Sequence, residues 1–279
     1  MSQAVELMNL FWTTAGVYPG AIGISRFDYK ERVEAAARAG FKGIGLWHND
    51  LERTLQSRTL KEMKAILDDN GMTLFELEFL TDWFLEGEKK AESDRWKHLL
   101  LEASQALNAS HVKMGDFNNT PSSMPQLIEA FATLCEEARA YGATIGFEFM
   151  ASAMLHTLED SLKMLEGAGA PNGGLVLDIV HVVNLKIPYE AISRIPVEYL
   201  VSVELNDGYL PGDARQDPDG SRLFCGEGEF DIQGFIQSVR KTGYQGPWAV
   251  EVFSKELADM PLAEANRKAF QTTIMQFET

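Results

Sequence analysis

Four short apolar stretches each carry one acid near their C-terminal end: Glu148 in "TIGFEFM" (144–150), Asp178 in "GLVLDI" (174–179), Glu204 in "YLVSVELN" (199–206) and Glu251 in "PWAVEVF" (247–253). Side chains alternate along a β-strand, so period-2 reading assigns every residue to a face. Ile145, Phe147 and Phe149 fall on one face, with Gly146 and Glu148 on the other. Leu175 and Leu177 likewise oppose Val176 and Asp178; Val201, Val203 and Leu205 oppose Ser202, Glu204 and Asn206; Trp248, Val250 and Val252 oppose Ala249 and Glu251. If the apolar faces pack outward, the four acids converge. Burying an unpaired carboxylate is costly, and four together cannot all stay ionised without a counter-charge. Some are then protonated, paired with cationic side chains, or gathered on a divalent metal. The only inward basic residue found on a strand is Lys113, in "SHVKMG" (110–115). A metal held by Glu148, Asp178, Glu204 and Glu251 is therefore the expectation. His181, three residues after Asp178, falls in the loop just past it and is expected to touch substrate or the ion.

Other residues have two readings. Glu76 and Glu78 share one face of "MTLFELEF" (72–79), so Lys113 either forms a Lys–Glu pair across neighbouring strands or polarises a substrate carbonyl. Trp12, Trp47, His48 and Trp83 lie at or beyond the ends of the first three strand candidates, where aromatic side chains serve either packing or the walls of a sugar site. The stretch from Asn206 to Phe230 is long for a barrel loop and rich in Gly and Pro, as site walls and lids are; its "DPDG" (217–220) reads as a turn.

The elements that must position these residues follow from hydrophobic periodicity. Strand candidates "LMNLFWTT" (7–14), "GIGLWH" (43–48), "MTLFELEF", "SHVKMG" and the four acidic stretches alternate with amphipathic segments such as "YKERVEAAARAG" and "MPQLIEAFATLCEEARAYG". Several of these segments end in Gly or Asn, a helix C-terminal signal. Eight β–α pairs without a linker or composition break predict an α/β fold, one single-domain (β/α)₈ TIM barrel over residues 1–279. A doubly wound open sheet would more usually carry a Gly-rich turn after its first strand; "AGVYPGAIG" lacks that fingerprint.

The 279 residues carry 41 acids against 25 bases, a formal charge of -16. Such a field repels phosphate backbones, so no nucleic-acid partner is expected. Two cysteines, Cys135 and Cys225, are too few and too far apart for a disulfide framework or a thiolate zinc site. Without a basic n-region or a long apolar run there is no evident export signal and no membrane span, and a cytoplasmic location is the default. A homo-oligomer is left open.

"GFEF" with Glu148, "LDIVH" with Asp178 and His181, "VELND" with Glu204, "RLFCGEGEFD" (222–231) and "WAVEV" with Glu251 together resemble the xylose isomerase-like TIM-barrel superfamily, in its branch of sugar phosphate isomerases and epimerases. The resemblance runs over essentially the whole chain. It implies one divalent cation, often Mn²⁺, Co²⁺, Mg²⁺ or Zn²⁺, held by acids matching Glu148, Asp178 and Glu251, with His181 and Arg222 contacting substrate. Strand seven of the family usually offers His, sometimes Gln in dehydratase-type relatives, where this chain has Glu204. The all-oxygen set favours Mn²⁺ or Mg²⁺ over Co²⁺ or Zn²⁺. The reading is an isomerase or epimerase acting on a small sugar or keto-polyol. A cation would polarise the carbonyl, and Glu148 and Glu251 would move the proton on the neighbouring carbon. The alternatives are a metal-dependent dehydratase of an inosose or dehydroshikimate-like substrate, and a non-catalytic sugar- or protein-binding barrel. Abasic-site endonuclease chemistry uses more histidines than the five here.

Overall fold

Eight short strands, buried along almost their whole length, give the molecule its frame. They are β1 (Leu7–Asn9), β2 (Gly43–Trp47), β3 (Leu74–Leu80), β4 (His111–Met114), β5 (Ile145–Glu148), β6 (Gly173–Asp178), β7 (Leu200–Leu205) and β8 (Trp248–Val250). The computed structural model describes residues 5–18, 20, 22–215 and 222–278; the "DPDG" turn lies outside them. All neighbours pair in parallel, and β8 closes on β1 to complete a (β/α)₈ barrel in sequence order.

The period-2 assignment explains the layering. Ile145, Phe147, Leu175, Leu177, Val203, Leu205, Val250 and Val252 belong to the large outer core against the helices. Met8, Leu10 and Ala249 form a small separate cluster inside the barrel, an apolar plug below the acids. Gly146 is small by necessity, because a Cβ there would stand 2.6 Å from Val176 Cγ2. Helix starts follow local chemistry: Asp28 with Glu31, Thr59 with Glu62 and Ser123 with Gln126 form capping boxes, which satisfy backbone N–H groups that the first turn leaves unpaired.

One boundary differs from the sequence reading. β1 ends at Asn9, and residues Phe11–Thr14 form a helical turn instead of extending the strand to 14. Side-chain anchors hold this turn. Thr13 Oγ1 donates toward Val250 O and Val252 O at 3.1 and 3.2 Å and accepts from Val252 N at 2.8 Å. Phe11 N donates to Glu78 Oε1 at 3.3 Å. Periodicity alone does not register these contacts from distant strands.

Register decides how the acids meet. Asp178 pairs level with Glu204, Glu148 with Val176, and Glu204 with Ala249. Glu148 and Glu251 are thus offset from the middle pair by one inward step each, in opposite senses. This stagger is what parallel strands acquire on closing into a barrel. No helix among the described residues is long and apolar enough to cross a membrane.

Candidate metal centre

At the C-terminal mouth of the barrel Glu148, Asp178, Glu204 and Glu251, all buried, each present a carboxylate oxygen within 4.8 Å of the others. Strand ends deliver all four, and β6 adds a local device: Asp178 accepts from Val180 N at 2.9 Å, capping the helix Ile179–Asn184, and from Asn206 Nδ2 at 2.8 Å. That helix carries His181, whose Nε2 lies 3.4 Å from Glu148 Oε1.

The acids have more cationic company than strand periodicity suggests. Lys113, 1% exposed, rises through the barrel axis with its ammonium 2.9 Å from Glu204, 3.0 Å from Glu78, 3.1 Å from Glu251, 3.4 Å from Glu76 and 3.9 Å from Glu148. Arg222 reaches in from the loop after β7 to Asp178 Oδ2 at 2.8 Å and to Glu251. Beneath them His111 Nε2 sits 2.6 Å from Glu76. Among the described residues the cluster is therefore six carboxyl groups around two obligate cations. The Lys113 ammonium donates to Glu204 and Glu251 and pairs with Glu78 at 3.0 Å, so Lys113 is an internal counter-charge to the carboxylates at the floor of the site.

The electrostatics divide the acids. Burial works against ionisation of Glu148, but Lys113, the hydrogen bond from His181 and the Arg222 charge outweigh it and hold this carboxyl down at about 2. Burial raises Glu204 well above the usual carboxylate range; Lys113 opposes, while Glu148, Glu76 and Asp178 reinforce the rise. Glu78 is pushed up to about 7, chiefly by burial. Burial would discharge Lys113, yet Glu204, Glu76, Glu78 and Glu148 together keep it firmly protonated.

These residues fit a divalent ion. Among the described residues Glu204 Oε2 is buried with no hydrogen-bond partner, in a ring whose excess negative charge Lys113 and Arg222 do not cancel. A hard cation among oxygen donors supplies what that atom lacks.

Above the acids opens a cavity of about 860 Å³. Lys113, Glu148, His181, Arg222 and Glu251 line it, as does Trp47. Trp83 does not. Its ring packs edge-on against Phe84, Phe131 and Phe147, and its Nε1 donates to Gly115 O at 3.2 Å, placing it in the layer between barrel and helices. The chain turns after β3 at Asp82, which has φ of 57°, and carries Trp83 outward. Distance in sequence from a strand end says nothing of that turn.

Several lining residues had no separate mark in the sequence. Glu78 was legible as an inward residue of β3 but not as part of this floor. Phe79, Phe117, Tyr209 and Arg215 reach the cavity from strand ends and loops. Asp207 has a different part: its carboxylate accepts from the backbone N–H of Gly208, Gly226, Gly228 and Phe230 at 2.8–3.0 Å. It folds the "GEGEF" turn back on β7 and so fixes the loop bearing Arg222. Gly228 has to be glycine, since a Cβ would lie 2.3 Å from Asp207 Oδ1.

A (β/α)₈ barrel with a buried carboxylate ring at its C-terminal mouth defines the class. Residues 33–273 match the xylose isomerase-like TIM barrel family, and the chain belongs to it. A 3-dehydroshikimate dehydratase of Pseudomonas putida is 27% identical over 234 residues, which make up 80% of this chain and 36% of that protein. The chain thus spans about a third of the length of that curated relative. An inosose isomerase of Halalkalibacterium halodurans is 23% identical over 274 residues, 92% of this chain and 94% of that one. Among solved structures the IOLI protein with a bound zinc atom superposes with a TM-score of 0.82 at 18% identity, covering 98% of each chain.

Proposed function

We propose that the protein is a divalent-metal-dependent isomerase or epimerase acting on a small, uncharged polyhydroxy ketone, a ketose or an inosose. The observation that carries the reading is the ring of four buried carboxylates from four successive strands with their oxygens within 4.8 Å. Glu148, Asp178, Glu204 and Glu251 would hold the ion; when bound, it supplies Lewis acidity toward a substrate carbonyl and so acidifies the adjacent C–H. Glu148, held ionised, is the base that takes that proton, and His181 beside it orients a substrate hydroxyl. Glu251, steadied by Arg222 and Lys113 on the other side of the ring, delivers a proton taken up from solvent, and Glu148 gives the abstracted one to solvent, so both acids return to their starting state. Return to the opposite face of the same carbon gives an epimer; return to the neighbouring carbon gives an isomer.

The charge inventory supports a neutral substrate. Arg215, a further cation lining the cavity, is already paired with Asp213 and Glu229. Once an ion displaces the proton from Glu204, that carboxylate, Glu76, Glu148, Asp178 and Glu251 carry one charge more than Lys113, Arg222 and the ion together, even with Glu78 protonated. A substrate carboxylate or phosphate would enter an unfavourable field. The Pseudomonas dehydratase, named for an anionic cyclic ketone, favours a second reading: the same proton abstraction on a carboxylate-bearing ketone, followed by loss of a β-hydroxyl as water.

Incubation in deuterium oxide with Mn²⁺ and a panel of ketoses, inososes and 3-dehydroshikimate, followed by NMR, tests this. Deuterium beside the carbonyl of a neutral ketone is expected, and Glu251→Gln is expected to slow exchange by at least about 100-fold, the scale of general acid–base catalysis, with the fold retained. Turnover without exchange or loss of that hydrogen would overturn the proton-transfer assignment.

A further inference from the structure

The cavity is larger and more aromatic than the proposed chemistry needs. Its volume of about 860 Å³ lies toward the top of the roughly 300–1,000 Å³ range that takes drug-sized ligands, and a single sugar or cyclitol ring over the acids fills only part of it. The remainder has a defined lining. Trp47 and Phe79 stack with centroids 5.8 Å apart and planes 12° from parallel; Phe79 and Phe117 continue the stack at 4.7 Å and 26°. The middle ring, Phe79, lies 5.9 Å from Lys113 Nζ at the floor, and the Phe117 end of the series reaches the rim. There Phe117 is 45% exposed, and Ile22, lining the same cavity, is 73% exposed. One aromatic face suffices to stack against the C–H face of a sugar. Here the stack props a further ring, Phe117, at the rim with its face in water, and that face offers a surface for a second group.

We infer that Phe117, backed by Phe79 and Trp47, forms with Ile22 a rim subsite for an aryl substituent carried by the ring that sits over the carboxylates. This rests on the sugar-ketone reading above and narrows it: the preferred substrate is an aryl-substituted sugar or cyclitol derivative. Stacking on the exposed Phe117 ring gives the aryl group attraction beyond its buried area, while Phe79, buried between Trp47 and Phe117, backs that ring and holds it in place. Covering the exposed faces of Phe117 and Ile22 removes apolar surface from water. No charged side chain belongs to this stack, so the subsite selects for an apolar group, while the polar ring is left to the acids and His181.

The test is calorimetric binding to the full-length chain with Mn²⁺ added, using phenyl and methyl glycosides of D-glucose and D-galactose in both anomeric forms. The phenyl member of at least one pair is expected to bind about tenfold or more tightly than its methyl counterpart, and Phe117→Ala is expected to bring that ratio toward one. Phe117 is half in water, so its truncation leaves the core intact. Equal affinity within every pair overturns the aryl subsite; if deuterium still enters simple ketoses, the proton-transfer reading survives that result. A phenyl preference that Phe117→Ala leaves unchanged overturns the placement at this rim. Binding of no glycoside in any pair, with no deuterium uptake by any ketone, overturns both.

Discussion

Single side chains in this barrel are defined by what they must not do in water. His48, at the start of the helix His48–Leu55, accepts a hydrogen bond from Phe79 N at its Nδ1, 3.2 Å away, which requires that nitrogen to be unprotonated. Burial is the main reason its pKa drops from 6.5 to about 4. The unfolded chain therefore takes up a proton at His48 between these values while the native state does not, so stability falls as pH drops from 6.5 to 4 and levels off below. The contribution is on the order of 3 kcal/mol. His48→Asn, which keeps an acceptor near the Nδ1 position, is expected to flatten that part of a urea-unfolding pH series relative to wild type. An unchanged slope would show that other groups govern it.

Among the elements, the loop after β7 shows how a motif becomes geometry. "RLFCGEGEFD" is a string of turn residues until Asp207 gathers four of its neighbours' N–H groups on one buried carboxylate. Hydrogen bonds to an ionised acceptor are worth roughly 1.5–3 kcal/mol each, and removing the acceptor strands several donors. Asp207→Ala is expected to destabilise the fold by about 3 kcal/mol in denaturant unfolding and to speed proteolysis within 208–230. Weaker ligand binding should accompany this, since Arg222 loses its anchor. Wild-type stability and protease resistance would mean that the strand ends hold the loop by themselves.

For the whole molecule, the excess of buried acid sets the link between ion binding, pH and stability. An ion that binds only the native state raises stability by about 3 kcal/mol at a hundredfold excess over its dissociation constant, several degrees in melting temperature for a chain of this size. The proton that burial and neighbouring carboxylates keep on Glu204 has to leave when the ion arrives, so affinity should fall as pH falls. Thermal melts with Mn²⁺ and with EDTA at pH 8, 7, 6 and 5 check this. A gap that narrows toward pH 5 is expected; no gap at any pH would remove the ion from the carboxylate ring.

Alternation of apolar and polar residues, together with the order of strands and helices, determined the barrel and placed Glu148, Asp178, Glu204 and Glu251 on its inner face, because side-chain direction in a strand is a local property of period two. Convergence is not local. Register and closure bring Lys113 from β4 into contact with Glu204 on β7 and Glu251 on β8, and they make the acids partly self-neutralised where the chain read strand by strand showed one basic residue. Loop backbones likewise decided that Arg222 turns in, that Trp83 turns out and that Phe117 continues the stack begun by Trp47. Each of these depends on hydrogen bonds and packing from residues far away in the chain, so only the closed barrel selects among the directions that each side chain could take.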